Sequence, residues 1–89
     1  IHVYPNEQLS VQKHFQRSER WVVIRGEATI QIGDTKDTYH SGAMVAIEKE
    51  EIHSLANLTE LPVEIIEVQI GSYLGEDDIV RYSDKYGRN

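Results

Sequence analysis

One glutamine, two histidines and one glutamate fall at spacings that strand-like segments could bring together. Gln12-Lys13-His14 is followed, with four residues between, by Glu19 and then, with six between, by Gly26. Gly42 is followed, with ten residues between, by His53 and, with three between, by Asn57. Amide oxygen, imidazole and carboxylate make an N/O donor set suited to a borderline divalent metal. If Gln12, His14, Glu19 and His53 converge, the chain is a small metal-binding β-barrel. There is no cysteine, so neither a thiolate ligand nor a disulfide contributes.

The elements that must position these donors are strands. Apolar residues alternate over Ile1–Tyr4, which Pro5-Asn6 ends, and again over Leu9–Phe15. Further strands are expected over Trp21–Arg25, Ala28–Ile32, Asp37–His40, Met44–Ile47, Ile52–Leu58 and Val63–Ile70, with a hairpin turn at Gly33-Asp34-Thr35-Lys36. The period of two places Ser10, Gln12, His14 and Gln16 on one face of their segment. It likewise places Glu67 and Gln69 beside Val63 and Ile65, and polar groups inside a barrel are costly unless they serve a purpose. Many short strands separated by turn residues predict a β-sandwich or barrel. The one helical turn is expected over Glu76–Arg81, entered through Gly75 and capped by its acids.

Bulk properties narrow the function. Eighty-nine residues with 39% hydrophobic and 27% charged side chains make one small folded domain, 1–89, read as a fragment of a longer chain. A net charge of −6 and the absence of a basic run argue against a nucleic-acid partner. No apolar stretch reaches membrane-spanning length and no signal peptide is visible, so no membrane partner is expected and the cytoplasm is the expected compartment. A β domain this small, lacking an opening strand, would leave an edge and apolar surface uncovered, which predicts a homodimer. His2 and His40 read as ordinary histidines, Glu48 to Glu51 as a solvated loop, and Trp21 as core. Arg17 and Arg20 read as partners of the surplus acids.

The two spacings resemble the paired motifs of the cupin superfamily, small jelly-roll β-barrels also described as double-stranded β-helices. Gln12-x-His14 stands where that superfamily has His-x-His, and Glu48 and Glu50 stand where its second motif has Pro and Gly. Within it, the chain is similar to the C-terminal isomerase domain of type II mannose-6-phosphate isomerase/mannose-1-phosphate guanylyltransferase. Three stretches carry the similarity: Leu9-Ser-Val-Gln-Lys-His-Phe-Gln-Arg-Ser-Glu-Arg-Trp21, Glu67-Val-Gln-Ile-Gly-Ser-Tyr-Leu-Gly-Glu-Asp-Asp-Ile-Val-Arg81 and Asp84-Lys-Tyr-Gly-Arg88. The chain departs from the family at Gln16 and Arg20, where members have His, and at Ser54, where they tend to have Arg.

The resemblance implies Gln12, His14, Glu19 and His53 as ligands of a divalent metal, zinc or another first-row ion. It implies a sugar-phosphate substrate, mannose 6-phosphate interconverted with fructose 6-phosphate, and an upstream guanylyltransferase domain in the same chain supplying GDP-mannose for polysaccharide synthesis. Arg81 and Arg88 are the candidate phosphate cations, because guanidinium meets phosphate bidentately. Gln69 is a candidate substrate contact. Glu67 is the candidate general base and needs a raised pKa for that work; Arg81 is placed beside it in catalysis. The alternative is a non-catalytic cupin module for sugar-phosphate binding or dimerisation, favoured by Gln16, Arg20 and Ser54. A third reading, epimerisation or an iron-dependent oxygenase, suits the Gln-x-His pair less well, since such oxygenases use two histidines and a carboxylate on iron.

Overall fold

The structure, a computed structural model, describes residues 1–83, and these form nine strands and no helix. They are β1 (His2–Val3), β2 (Val11–Lys13), β3 (Arg17–Arg25), β4 (Ala28–Ile32), β5 (Thr35–Tyr39), β6 (Met44–Ile47), β7 (His53–Ala56), β8 (Val63–Gly71) and β9 (Val80–Ser83). One sheet has the order β1-β8-β3-β6 and the other β5-β4-β7-β2-β9, and the pairings are antiparallel. Only β4 and β5 pair as a simple hairpin, turning at Gly33-Asp34. The other neighbours come from distant parts of the chain, so the sheets roll over one another as the expected jelly-roll barrel. No helix here is long and apolar enough to cross a membrane.

The core is the inner face of both sheets. Val3, Trp21, Val23, Ala28, Ile30, Val45, Ile47, Leu55, Val63 and Ile65 are buried in one cluster. Each large apolar side chain fully buried there contributes about 1.5–3 kcal/mol relative to an exposed one. Glycine is required at Gly26, whose φ is +83° and whose missing Cβ would collide with the Pro62 carbonyl.

Three sequence expectations change. β5 begins at Thr35 rather than Asp37, because Thr35 and Lys36 already pair with Ile32 and Gln31 and the turn is Gly33-Asp34 alone. β3 begins at Arg17 rather than Trp21, because the inward positions alternate Arg17, Glu19, Trp21, Val23 and the first two are charged. An apolar pattern cannot register a strand whose buried end is polar. The helical turn over Glu76–Arg81 does not form. Glu76-Asp77 is a plain turn, closed by Asp78 N–H donating to the Gly75 carbonyl at 3.2 Å, and Val80 already starts β9 against β2. The Asp78 carboxylate accepts from the backbone N–H groups of Phe15 at 3.0 Å and Gln16 at 2.8 Å, so it caps a distant loop instead of a helix. Too few residues remain to offset the cost of nucleating a helix.

The sheet face opposite the core is unusually apolar. Met44, Ile66, Val68 and Ile70 are each at least half exposed on it. Met44 and Ile66 flank Val22 in register on β6 and β8.

Candidate metal centre

β2, β3 and β7 deliver the site. Gln12 on β2 is in register with His53 on β7, and His14 lies just beyond the end of β2. Glu19 points inward from β3, whose neighbour β8 sets Gln69 opposite Glu19 and Glu67 opposite Trp21. His14, Glu19 and His53 are buried, and each offers a ligand atom within 4.8 Å of the others. Glu19 stands between the two rings, Oε2 lying 3.6 Å from His14 Nε2 and Oε1 lying 4.0 Å from His53 Nε2. The two imidazole centroids are 5.3 Å apart.

Backbone carbonyls set which nitrogen of each ring faces the centre. His14 Nδ1 donates to the Asp78 carbonyl at 2.6 Å, and His53 Nδ1 donates to the Glu51 carbonyl at 2.9 Å. A carbonyl can only accept, so Nδ1 carries the proton in both rings and each Nε2 lone pair is turned to the centre. This is the outer-shell arrangement that orients a metal-ligating histidine. Burial pushes the His53 imidazole below its ordinary pKa, with His14 and Arg17 adding to the effect, so the ring stays neutral as a ligand must. Glu19 is held by Trp21 Nε1, which donates to Oε1 at 3.0 Å, and by Arg17 Nε, which donates to Oε2 at 2.8 Å.

These three side chains line a cavity of about 180 Å³ together with Gln12, Gln69 and Glu67. Gln12 Nε2 donates weakly to Ser10 at 3.3 Å. Burial raises the Glu67 pKa, and its contact with the neighbouring Glu19 carboxylate raises it further, against the opposing pull of Trp21 and Arg17. Arg81 sits on β9 in register with Gln12 but lines an adjoining groove, which shares Leu9, Ser10 and Gln12 with the cavity. Arg88 and the Asp84–Arg88 stretch lie outside the described residues.

Some residues from the two spacings serve other ends. Asn57, entirely buried, donates to the Val3 and Leu61 carbonyls at 3.0 and 2.7 Å and accepts from the Thr59 backbone and hydroxyl. It pins a turn to β1 and is no part of the cavity. Gln16 is exposed, and Arg20 pairs with exposed Glu48 at 3.1 Å; of the three departures from the family pattern only Ser54 lines the cavity.

Arg17 is the residue that strand periodicity misses. The bend at Phe15-Gln16 breaks the alternation, so Arg17 returns to the interior face that His14 occupies. A Cβ at Gly71, its partner on β8, would collide with the Gln16 carbonyl, so the bend needs that glycine. Only 5% exposed, Arg17 reaches Glu19, Glu76 and His14 with one guanidinium. Burial works against its charge, but Glu76 and Glu19 more than restore it and raise its pKa. The Glu48–Glu51 turn also contributes more than solvated side chains. Glu50 N–H donates to the His14 carbonyl at 2.7 Å, and the Glu51 carbonyl orients His53.

The profile of the family described as mannose-6-phosphate isomerase C-terminal matches residues 1–84. A protein named mannose-1-phosphate guanylyltransferase from Salmonella montevideo is 45% identical over 89 residues, which is 100% of this chain and 19% of that protein. The alginate biosynthesis protein AlgA of Pseudomonas aeruginosa is 46% identical over 88 residues, 99% of this chain and 18% of that protein. The chain therefore spans about a fifth of the length of these relatives. A cupin 2 conserved barrel domain protein from Salinispora arenicola superposes with a TM-score of 0.73 at 20% identity, covering 80% of this chain and 59% of that one. That likeness speaks for the fold alone.

Proposed function

Because the chain belongs to the mannose-6-phosphate isomerase C-terminal family, we propose that it is a metal-dependent aldose–ketose isomerase domain interconverting mannose 6-phosphate and fructose 6-phosphate. The observation that carries this reading is the buried His14–Glu19–His53 cluster, with both Nε2 lone pairs aimed inward by carbonyl-bound Nδ1–H groups. Two neutral imidazoles and a carboxylate fit Zn²⁺ or another first-row divalent ion, with Gln12 as the fourth ligand. Such an ion supplies Lewis-acid polarisation of the sugar carbonyl and stabilises developing negative charge on its oxygen.

The remaining work falls to the chain's own groups. Glu67 faces the cavity with a raised pKa, which suits a carboxylate that takes a proton from one sugar carbon and returns it to the next. Gln69, opposite Glu19, offers an amide to the sugar hydroxyls. Arg81, in register with Gln12 and lining the adjoining groove, is assigned the phosphate while the sugar enters the cavity, and Arg88 is assigned the same anion. In the longer protein this domain follows a guanylyltransferase domain, works in the cytoplasm and serves GDP-mannose supply for polysaccharide synthesis. It pairs as a homodimer through the apolar face of β6, β3 and β8.

Elemental analysis and a coupled isomerase assay test the reading together. Stoichiometric metal that disappears in His14→Ala and His53→Ala, with turnover of mannose 6-phosphate restored by added metal, is the expected result. Metal-free protein without turnover, even as the full-length chain, would refute it. It would leave the non-catalytic module, which Arg17 favours by already filling part of the site with a cation.

A further inference from the structure

Arg17 places a positive charge against two of the proposed metal donors. Its Nη2 lies 3.2 Å from His14 Nε2, and its Nε donates to Glu19 Oε2 at 2.8 Å. Since His14 Nδ1 carries the ring proton, Nε2 has a single lone pair, and Arg17 Nη2–H is pointed at it. One lone pair cannot accept an N–H and ligate a metal at the same time. The third arm of the fork, Nη1, donates to Glu76 Oε2 at 3.1 Å, and the Glu76 side chain is 86% exposed at the cavity mouth. Every buried polar side-chain atom among the described residues has a hydrogen-bond partner in this arrangement.

We propose that Arg17 is a built-in competitor of the metal: its guanidinium stands in for a cation beside Glu19 and must release His14 Nε2 before an ion binds. The inference rests on the metal site proposed above and adds to it a regulated occupancy. Held by Glu76 at the mouth, the guanidinium has a partner toward solvent when it leaves His14. With Arg17 against it the buried Glu19 carboxylate is not left uncompensated, and the domain binds metal more weakly than its three donors alone would.

The test is a titration of Zn²⁺ alone against a chromophoric chelator, for the unaltered chain and for Arg17→Met, which keeps the apolar stem and removes the competing donors. The expected Kd for Zn²⁺ falls about tenfold or more in the variant, as loss of one competing charge-assisted hydrogen bond implies. The second measurement needs no variant. The ¹⁵Nε–¹Hε resonance of Arg17 in the unaltered chain is expected to shift and to exchange faster with water when Zn²⁺ saturates the site. An unchanged or higher Kd in Arg17→Met, or an Arg17 resonance indifferent to bound Zn²⁺, overturns the inference while leaving the metal site standing. If neither protein binds Zn²⁺ in a His14- and His53-dependent manner, the metal site and the competitor fall together.

Discussion

Trp21 Nε1 donates to Glu19 Oε1 at 3.0 Å, so a side chain that fills the core also holds the acid between the two histidines. The two residues are i and i+2 on β3, which puts both on the inward face. The indole edge also stands against the His53 ring, with centroids 5.8 Å apart and planes at 80°. Stability and site geometry are therefore linked through one residue. Trp21→Phe retains most of the apolar volume and removes the donor. It should cost about 1–3 kcal/mol in chemical denaturation, the range for a buried acceptor losing its partner, and should also weaken Zn²⁺ binding. Equal metal affinity in the variant would show that Trp21 serves packing only.

Asn57 gives the opposite separation. It is buried and bonded to β1 and to its own turn, away from the cavity. Asn57→Ala leaves the Val3 carbonyl and the Thr59 N–H without that partner and should destabilise by about 2–4 kcal/mol. Its Zn²⁺ affinity, measured well below the melting temperature, should match the unaltered chain.

Glu50 has φ +65°, a left-handed conformation that disfavours a side chain with a Cβ. Glu50→Gly should therefore stabilise by about 0.5–1 kcal/mol, the relief of strain exceeding the added freedom of the unfolded chain. A thermal melt showing a rise of a few degrees supports this; a fall would mean that the Glu50 side chain contributes more than its strain costs.

Two pH effects with opposite slopes meet in the cavity. Glu67 has a raised pKa, so the folded state holds a proton that the unfolded state has released; stability falls as pH climbs through that folded value. Glu67→Gln should remove that part of the slope and flatten the profile above the ordinary carboxyl range. His53 has a lowered pKa, so below the ordinary histidine value the unfolded state binds a proton that the folded ring refuses. Its contribution to stability is therefore lost as pH falls from the ordinary histidine value toward the depressed one. An NMR titration of the His53 ring that gave a midpoint at or above the ordinary histidine value would refute the second effect.

The exposed face carrying Met44, Ile66, Val68 and Ile70 is the proposed dimer surface. Light scattering at micromolar concentration should return twice the 10.2 kDa chain mass. Val68→Lys, which places a charge beside Arg20 on that face, should shift the population toward monomer without lowering the melting temperature of the fold. A monomer in the unaltered chain would remove the proposal.

An all-β sandwich or barrel was legible because alternation and turn residues are local signals, repeated along the chain; the jelly roll came from the resemblance of the motif spacings, which also marked His14, Glu19 and His53. Glu67 and Gln69 also stood out, as polar residues on a strand face otherwise given to Val63 and Ile65. What the residue order could not show depends on groups far apart in sequence. The Asp78 carbonyl and carboxylate are committed to His14, Phe15 and Gln16, which turned an expected helix cap into a clamp on the site. The bend at Phe15-Gln16 shifted the phase of the strand and carried Arg17 inside, where its charge finds Glu19 and Glu76. Composition and period decide which residues can face inward; only the packing of β2, β3, β7 and the loop before β9 decides which lone pairs face each other.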